Sequence, residues 1–267
     1  MMPQNIIVAG KSGAGKQPRI DVLLNEYKLK QLSTGNIFRE YLGAYKQIRD
    51  QVDKTSILFQ NGKFALDQEI GTALRESAAA AQVKLEAAVL GFKAAQYVDR
   101  GKFVPDNITN DLLAAAFNAE GGKGLVLDGY PRTPDQSAFL IDLVKKTGTK
   151  IDLVLIVDNE DEAIVARTIG RRICPNKSCG KVFHLEFKPP TPDGKCTVCG
   201  TEVILRSDDT EEKIRTRLEE FQQKALPAIA VLTKAGIPSV HVPGNLPVFT
   251  DEAVRESVMS AIKPVLG

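Results

Sequence analysis

Along this chain of 267 residues, short apolar runs alternate with stretches in which apolar residues return every three to four positions. The Val-, Ile- and Leu-rich runs at Asn5 to Ala9, Gly124 to Leu127, Ile151 to Val157 and Ile237 to Val242 predict strands buried on both faces, as in a parallel sheet. Helical spacing predicts helices over Ser137 to Lys146, Ala163 to Arg172, Glu211 to Leu232 and Thr250 to Val265. The alternation predicts an α/β fold with helices covering both faces of the sheet. Two stretches break it. From Thr34 to about Phe103 the pattern is nearly all helical, with an Ala-rich segment at Ser77 to Ala81. From Ile173 to Leu205 the turn Pro189-Pro190-Thr191-Pro192 and the cysteines predict short strands and turns. The chain therefore divides into a core of residues 1–33, 107–170 and 208–267, a helical insertion at 34–106 and a small lobe at 171–207. One internal echo is present: Gly62-Lys63-Phe64-Ala65-Leu66-Asp67 resembles Gly101-Lys102-Phe103-Val104-Pro105-Asp106.

Composition narrows the class. With 43% hydrophobic and 25% charged residues, the chain reads as soluble and globular. Its 35 basic and 33 acidic residues are interspersed, without the basic stripe of a nucleic-acid binder, so no nucleic-acid partner is expected. The start MMPQNIIVAG lacks a basic region before its apolar stretch and reads as a first strand rather than a leader. No run approaches the roughly 18 apolar residues of a membrane span, so no membrane partner and a cytoplasmic location are expected.

The chemistry begins at Gly10-Lys11-Ser12-Gly13-Ala14-Gly15-Lys16, which follows a predicted strand and precedes a helix. That is the context of a G-x-x-x-x-G-K phosphate loop: glycines let backbone N–H groups wrap phosphate oxygens, the helix N-terminus adds its dipole, and Lys16 adds a full charge. A dinucleotide fingerprint fits less well, because its third glycine would fall at Pro18. The residue after the lysine is Gln17 instead of Ser or Thr, and Pro18 has no N–H for a phosphate. Ser12 and Arg19 are the nearby replacements.

All four cysteines, Cys174, Cys179, Cys196 and Cys199, lie in the second insertion. Two loops of paired thiolates favour a closed tetrahedral zinc site of structural character; two disulfides are the alternative. His184 lies close by and reads as a residue of the lobe rather than a ligand.

Four further segments, in order, resemble the adenylate kinase family. Leu32-Ser33-Thr34-Gly35-Asn36-Ile37-Phe38-Arg39 is similar to its S-T-G-[DN]-x-x-R, and Gly101-Lys102-Phe103-Val104-Pro105-Asp106 to its G-x-L-V-P-D. Leu127-Asp128-Gly129-Tyr130-Pro131-Arg132, with Gln136 four residues on, is similar to its D-G-[FY]-P-R…Q motif. Arg167, Arg171 and Arg172 lead into the second insertion, and Arg206-Ser207-Asp208-Asp209 leads out toward Arg215 and Arg217, as in the family's lid.

The resemblance implies a P-loop sheet with a helical AMP-binding insertion and a zinc-containing lid, and reversible phosphoryl transfer between ATP, AMP and ADP with Mg²⁺. It implies Gly13, Ala14, Gly15, Lys16, Gln17, Arg167, Arg171 and Leu246 at ATP, and Thr34, Arg39, Phe103, Val104, Gly129, Arg132, Gln136, Arg206 and Arg217 at AMP. Asp128 would hold Mg²⁺ through water, and Lys16, Arg132, Arg171, Arg206 and Arg217 would be catalytic. Chemistry agrees, since holding two polyphosphates in line requires several fixed cations, for which arginine is suited. Arg167 and Arg171 are expected on one helix face at i, i+4 spacing. The stretch from Arg39 to Lys102 exceeds the family's length; a monomer is expected, with that excess able to bear an oligomer contact. The alternatives are a kinase for another nucleoside monophosphate, against which Thr34 and Gln136 argue, and a nucleotide-binding module without catalysis, motivated by Gln17-Pro18.

Overall fold

The computed structural model describes residues 2–52, 55–100, 102–176, 178–186, 188–205 and 209–267. In chain order, β1 (Asn5–Ala9) leads to α1 (Lys16–Tyr27), β2 (Lys30–Ser33) and α2 (Thr34–Lys46). The insertion continues through α3 (Thr55–Leu58), the hairpin of β3 (Phe59–Gln60) and β4 (Lys63–Phe64), then α4 (Asp67–Ala80), α5 (Leu85–Val98) and α6 (Asp106–Ala119). The sheet resumes with β5 (Leu125–Asp128), α7 (Pro134–Lys146), β6 (Leu153–Asp158) and α8 (Asp161–Ile169). The lid hairpin is β7 (Arg171–Ile173) with β8 (Val182–His184), and the chain closes with α9 (Glu211–Glu220), α10 (Leu226–Lys234), β9 (Ser239–Pro243) and α11 (Asp251–Leu266).

The main sheet has strand order β2-β5-β1-β6-β9 and is parallel throughout. Because side chains alternate across a strand, Ile7, Leu125, Leu127, Val154 and Ile156 feed one core with α2, α6, α7 and α10. Ile6, Val8, Val126, Leu153, Leu155 and Val157 feed the other with α1, α8, α9 and α11. The four predicted strands form within two residues of their expected ends, but double-sided burial holds only for β1, β5 and β6: β9 lies at the sheet edge and buries only Val242. The edge strand β2 went unpredicted because Lys30-Gln31-Leu32-Ser33 has a single apolar residue; its pairing with β5 holds it in the sheet.

The helix expected over Ala163 to Arg172 is corrected. It ends at Ile169, and Arg171 opens a strand, so Arg167 and Arg171 do not share a helix face. The lid backbone claims those residues: the Ile173 N–H donates to the Ile204 carbonyl at 2.8 Å, and the Leu185 N–H to the Gly170 carbonyl at 2.9 Å.

The helical insertion carries its own core, built from Tyr45, Ile48, Leu58, Ile70, Leu74, Phe92 and neighbours. Lys93, almost buried, pairs with Asp67 at 2.6 Å and ties α5 to the start of α4. Helices α2 and α5 cross so closely that a Cβ on Gly91 would stand 2.0 Å from the Tyr41 carbonyl oxygen and 2.9 Å from the Tyr45 Cβ. Among the described residues no helix is long and apolar enough to cross a membrane.

Gly91→Ala is expected to lower stability by about 1–3 kcal/mol through overpacking, outweighing the better helix propensity of alanine. Thermal unfolding checks this; an unchanged or raised Tm would mean that α2 and α5 are not in backbone contact.

Candidate active site

The phosphate loop joins β1 to α1 at the C-terminal edge of the parallel sheet, where open α/β folds bind ligands. Gly15 precedes the helix with φ 97°, a left-handed conformation open to glycine at little cost. The Lys16 ammonium folds back over its own loop and donates to the Gly10 and Lys11 carbonyls, each at 2.9 Å. Burial lowers its pKa, Asp128 opposes that shift and Arg132 adds to it, so the three groups share one electrostatic neighbourhood. Gly13 and Ala14 complete the loop, Ser12 is exposed, and Lys11 pairs with Asp161 at 2.5 Å.

Beyond the lysine, the Gln17 amide donates to Asp21 at 2.9 Å and to Gln31 at 3.0 Å. Arg19 is fully buried. It donates to the Gly15 carbonyl at 3.2 Å and the Pro243 carbonyl at 2.6 Å, which clamps the phosphate loop to the segment carrying Leu246. Its Nε has no hydrogen-bond partner. The Arg19 guanidinium lies 5.4 Å from the Phe249 ring centre and that of Arg167 lies 5.6 Å from the same ring. Burial, with Arg167 adding to it, pushes the Arg19 pKa down to about 10.

On the other side of the sheet edge, Asp128 ends β5 half-buried, and Thr34 donates to its carbonyl at 2.9 Å. Arg132 Nε donates to the Gly129 carbonyl at 2.8 Å, and a Cβ on Gly129 would stand 2.6 Å from Thr34 Oγ1 and 3.0 Å from Arg132 Nη2. Gln136 is buried: its side-chain oxygen accepts from the Arg132 N–H at 2.8 Å, and its amide donates to Asp106 at 2.7 Å. Thr133 caps α7 and donates to the same carboxylate at 2.5 Å. Arg39 bonds Asn36 on the surface of α2. Gly101 lies outside the described residues; Phe103 is 82% exposed, 5.4 Å from the Lys224 ammonium, while Val104 packs on the main core. The echo segment differs, since Phe64 turns inward against Phe59, with ring centres 4.4 Å apart.

At the lid root, Arg171 makes a two-point pair with Asp209, Nε to Oδ2 at 2.8 Å and Nη2 to Oδ1 at 2.5 Å, with the Asp209 side chain fully buried. Arg172 donates to the carbonyls of Ile169 and Arg171, and Arg215 is held by Glu162 and Glu211. Arg217 is half-buried on α9. Arg206, Ser207 and Asp208 lie outside the described residues.

Within the lid, the ligand atoms of Cys174, Cys179, Cys196 and Cys199 all lie within 4.8 Å of one another, and the four thiols are free. The Cys174–Cys199 and Cys179–Cys196 sulfurs are 3.3 and 3.6 Å apart, far beyond a disulfide bond. Four thiolates at about 2.3 Å from one tetrahedral ion would stand roughly 3.8 Å apart, so the arrangement fits zinc. Among the described residues the lid has little other core: Phe183 and Val203 join the cysteines. His184 stays outside the sulfur cluster, with its ring against Gly170 and its Nδ1 accepting from the Glu186 N–H at 3.1 Å.

Sequence reading missed three residues here. Gln31 sits on the unpredicted strand and donates to Asp128 at 3.0 Å; Asp106 orients Gln136; and Asp209 is the buried partner of Arg171. Asp106 and Asp209 each carried a signal, as the last residue of a quoted segment, while Gln31 carried none. Asp209→Asn is expected to cost roughly 3 kcal/mol by breaking a largely buried pair. Thermal melting with an Arg171→Met control checks this; an unchanged Tm in both would show that the pair does not hold in solution.

Comparison with known proteins bears on these residues together. The adenylate kinase family profile matches residues 70–237, more than half of the chain. The adenylate kinase of Symbiobacterium thermophilum is 34% identical over 259 residues, covering 95% of this chain and 99% of that protein. That of Agathobacter rectalis is 34% identical over 263 residues, covering 98% and 99%, and that of Clostridium perfringens 32% over 229 residues, covering 85% of each. With the phosphate loop, the Asp128–Arg132 turn and the cysteine lid on one parallel-sheet scaffold, this chain belongs to the adenylate kinase family of ATP-binding phosphotransferases.

Proposed function

We propose that this protein catalyses reversible phosphoryl transfer from ATP to AMP, giving two ADP, with its lid closing over the nucleotides. The observation that carries this reading is the convergence of Lys16, Asp128, Thr34 and Arg132 at one sheet edge, between the phosphate loop and the insertion. ATP lies along Gly13, Ala14, Gly15, Lys16 and Gln17, with Arg167 and Leu246 toward its base and Arg171 toward its phosphates. AMP lies against Thr34, Arg39, Phe103, Val104 and Gly129, with Gln136 reading the adenine edge and Arg132, Arg206 and Arg217 on phosphate.

In the transfer, an AMP phosphate oxygen forms a bond to the γ-phosphorus as the bond to the β–γ bridging oxygen breaks, and the negative charge passes to ADP. No residue acts as nucleophile. Lys16 and the arginines stabilise charge on the transferring group. Asp128, a half-exposed oxygen donor at the open sheet edge, suits a hard cation, and Mg²⁺ held there through water would neutralise polyphosphate charge. Releasing Arg171 from Asp209 would let its guanidinium turn toward phosphate as the lid closes, and closure excludes water that would otherwise take the phosphoryl group. The four cysteines would hold a structural zinc, with about 10–16 kcal/mol of binding free energy available to a lobe that has little other core.

ADP formation from ATP, AMP and Mg²⁺ tests the reading. Lys16→Met is expected to lower the rate roughly 10²–10³-fold with its fold intact. Preference for UMP, CMP or GMP over AMP would reassign the acceptor, and absence of activity in folded, metal-replete protein would favour the nucleotide-binding module that Gln17-Pro18 raises. For the lid, the purified protein is expected to release one zinc per chain on thiol modification, and its removal to lower the Tm; a metal-free protein of equal stability would refute the zinc site.

A further inference from the structure

The phosphate loop lacks the hydroxyl that usually follows its lysine, and the structure fills that position with a hydrogen-bonded chain of side chains. Gln17 Nε2 donates to Asp21 Oδ1 at 2.9 Å and to Gln31 Oε1 at 3.0 Å. Gln31 Nε2 donates back to Gln17 Oε1 at 3.2 Å and onward to Asp128 Oδ2 at 3.0 Å. A primary amide has two N–H donors, and both amides spend both of theirs. The chain has a carboxylate at each end, which only accepts, so the orientation of both amides is forced: flipping either one would set a carbonyl oxygen against Asp21 or Asp128. Its two halves come from distant segments, Gln17 from the first turn of α1 and Gln31 from the edge strand β2, and they meet beside the end of β5.

We propose that the Gln17–Gln31 amide pair positions the Asp128 carboxylate for the divalent cation, linking it to the phosphate loop through amides where a hydroxyl would otherwise act. This rests on the phosphoryl-transfer reading above. A carboxylate at an open sheet edge is free to rotate about its last side-chain bond. A fixed N–H on one oxygen selects one rotamer and would leave the other oxygen available to accept from water on a bound cation. Outer hydrogen-bond partners of this kind tune metal affinity by about 10–100-fold. Gln31 is therefore a positioning residue that acts through Asp128, and Gln17 fixes Gln31 in turn.

The test is calorimetric titration of ATP into the full chain, once with excess chelator and once across a range of Mg²⁺ concentrations, for wild type and Gln31→Met, each with its melting curve. The expected result for Gln31→Met is a metal-free ATP affinity within about twofold of wild type and a Mg²⁺ midpoint raised about tenfold. Adding Gln17→Leu to Gln31→Met should move that midpoint less than twofold further, because the two amides act as one unit. A variant that binds ATP with the wild-type Mg²⁺ midpoint, or that loses affinity equally with and without metal, overturns the amide-pair proposal alone. Wild-type protein that binds no ATP in either condition overturns the phosphoryl-transfer reading and this proposal with it.

Discussion

The interaction on which this site depends is the folding of the part-buried Lys16 ammonium back onto the phosphate loop. An ammonium partly withdrawn from water must be compensated, and here the Gly10 and Lys11 carbonyls and the nearby Asp128 supply the compensation. Those carbonyls can reach Lys16 because β1 stops at the sheet edge and α1 starts six residues after Gly10, a span that only a tight, glycine-rich loop can close. The same demand shapes the neighbours. Arg19 and Arg167 both lie against the Phe249 ring, and Arg171 is paired with a buried aspartate. The cations at this edge are thus held on carbonyls, a ring and an acid.

The two lobes solve the problem of small size in different ways. The helical insertion has enough length to bury Ile70, Leu74, Phe92 and their neighbours and so forms a core of its own. Each fully buried side chain of that size contributes about 1.5–3 kcal/mol. Among its described residues the lid buries little beyond Phe183 and the cysteines, so hydrophobic contact there gives it little support. Among the described residues the lobe has a small core of its own, a short hairpin and the Arg171–Asp209 pair at its root, and its four sulfurs lie close together.

Much of this architecture was legible in the sequence. Double-sided burial writes itself as continuous apolar runs, so β1, β5 and β6 could be read directly, while the run at β9 marked a strand that lies at the sheet edge with only Val242 buried. The phosphate loop and the cysteine lid were legible because their chemistry demands fixed residue types at fixed spacing. Strand β2 was not, since an edge strand beside polar chemistry needs only Leu32 to face the core. The α8 boundary was misread for a related reason: local helical spacing ran on through Gly170, while the lid hairpin imposed backbone pairings that no local pattern encodes.

What the sequence determined by itself was the class of fold, the phosphate loop and the set of charged residues available to it, because burial periodicity and motif spacing are local properties of the chain. Tertiary structure alone decided which of those residues meet. Gln17 and Gln31, Arg19 and Pro243, and Arg171 and Asp209 are separated by 14, 224 and 38 positions; the first two contacts depend on the order of the main sheet, and the third on how the lid hairpin folds back toward α9. Hydrogen bonds and ion pairs act over a few ångströms of space and are indifferent to distance along the chain, so their partners become known once the strands have been placed side by side.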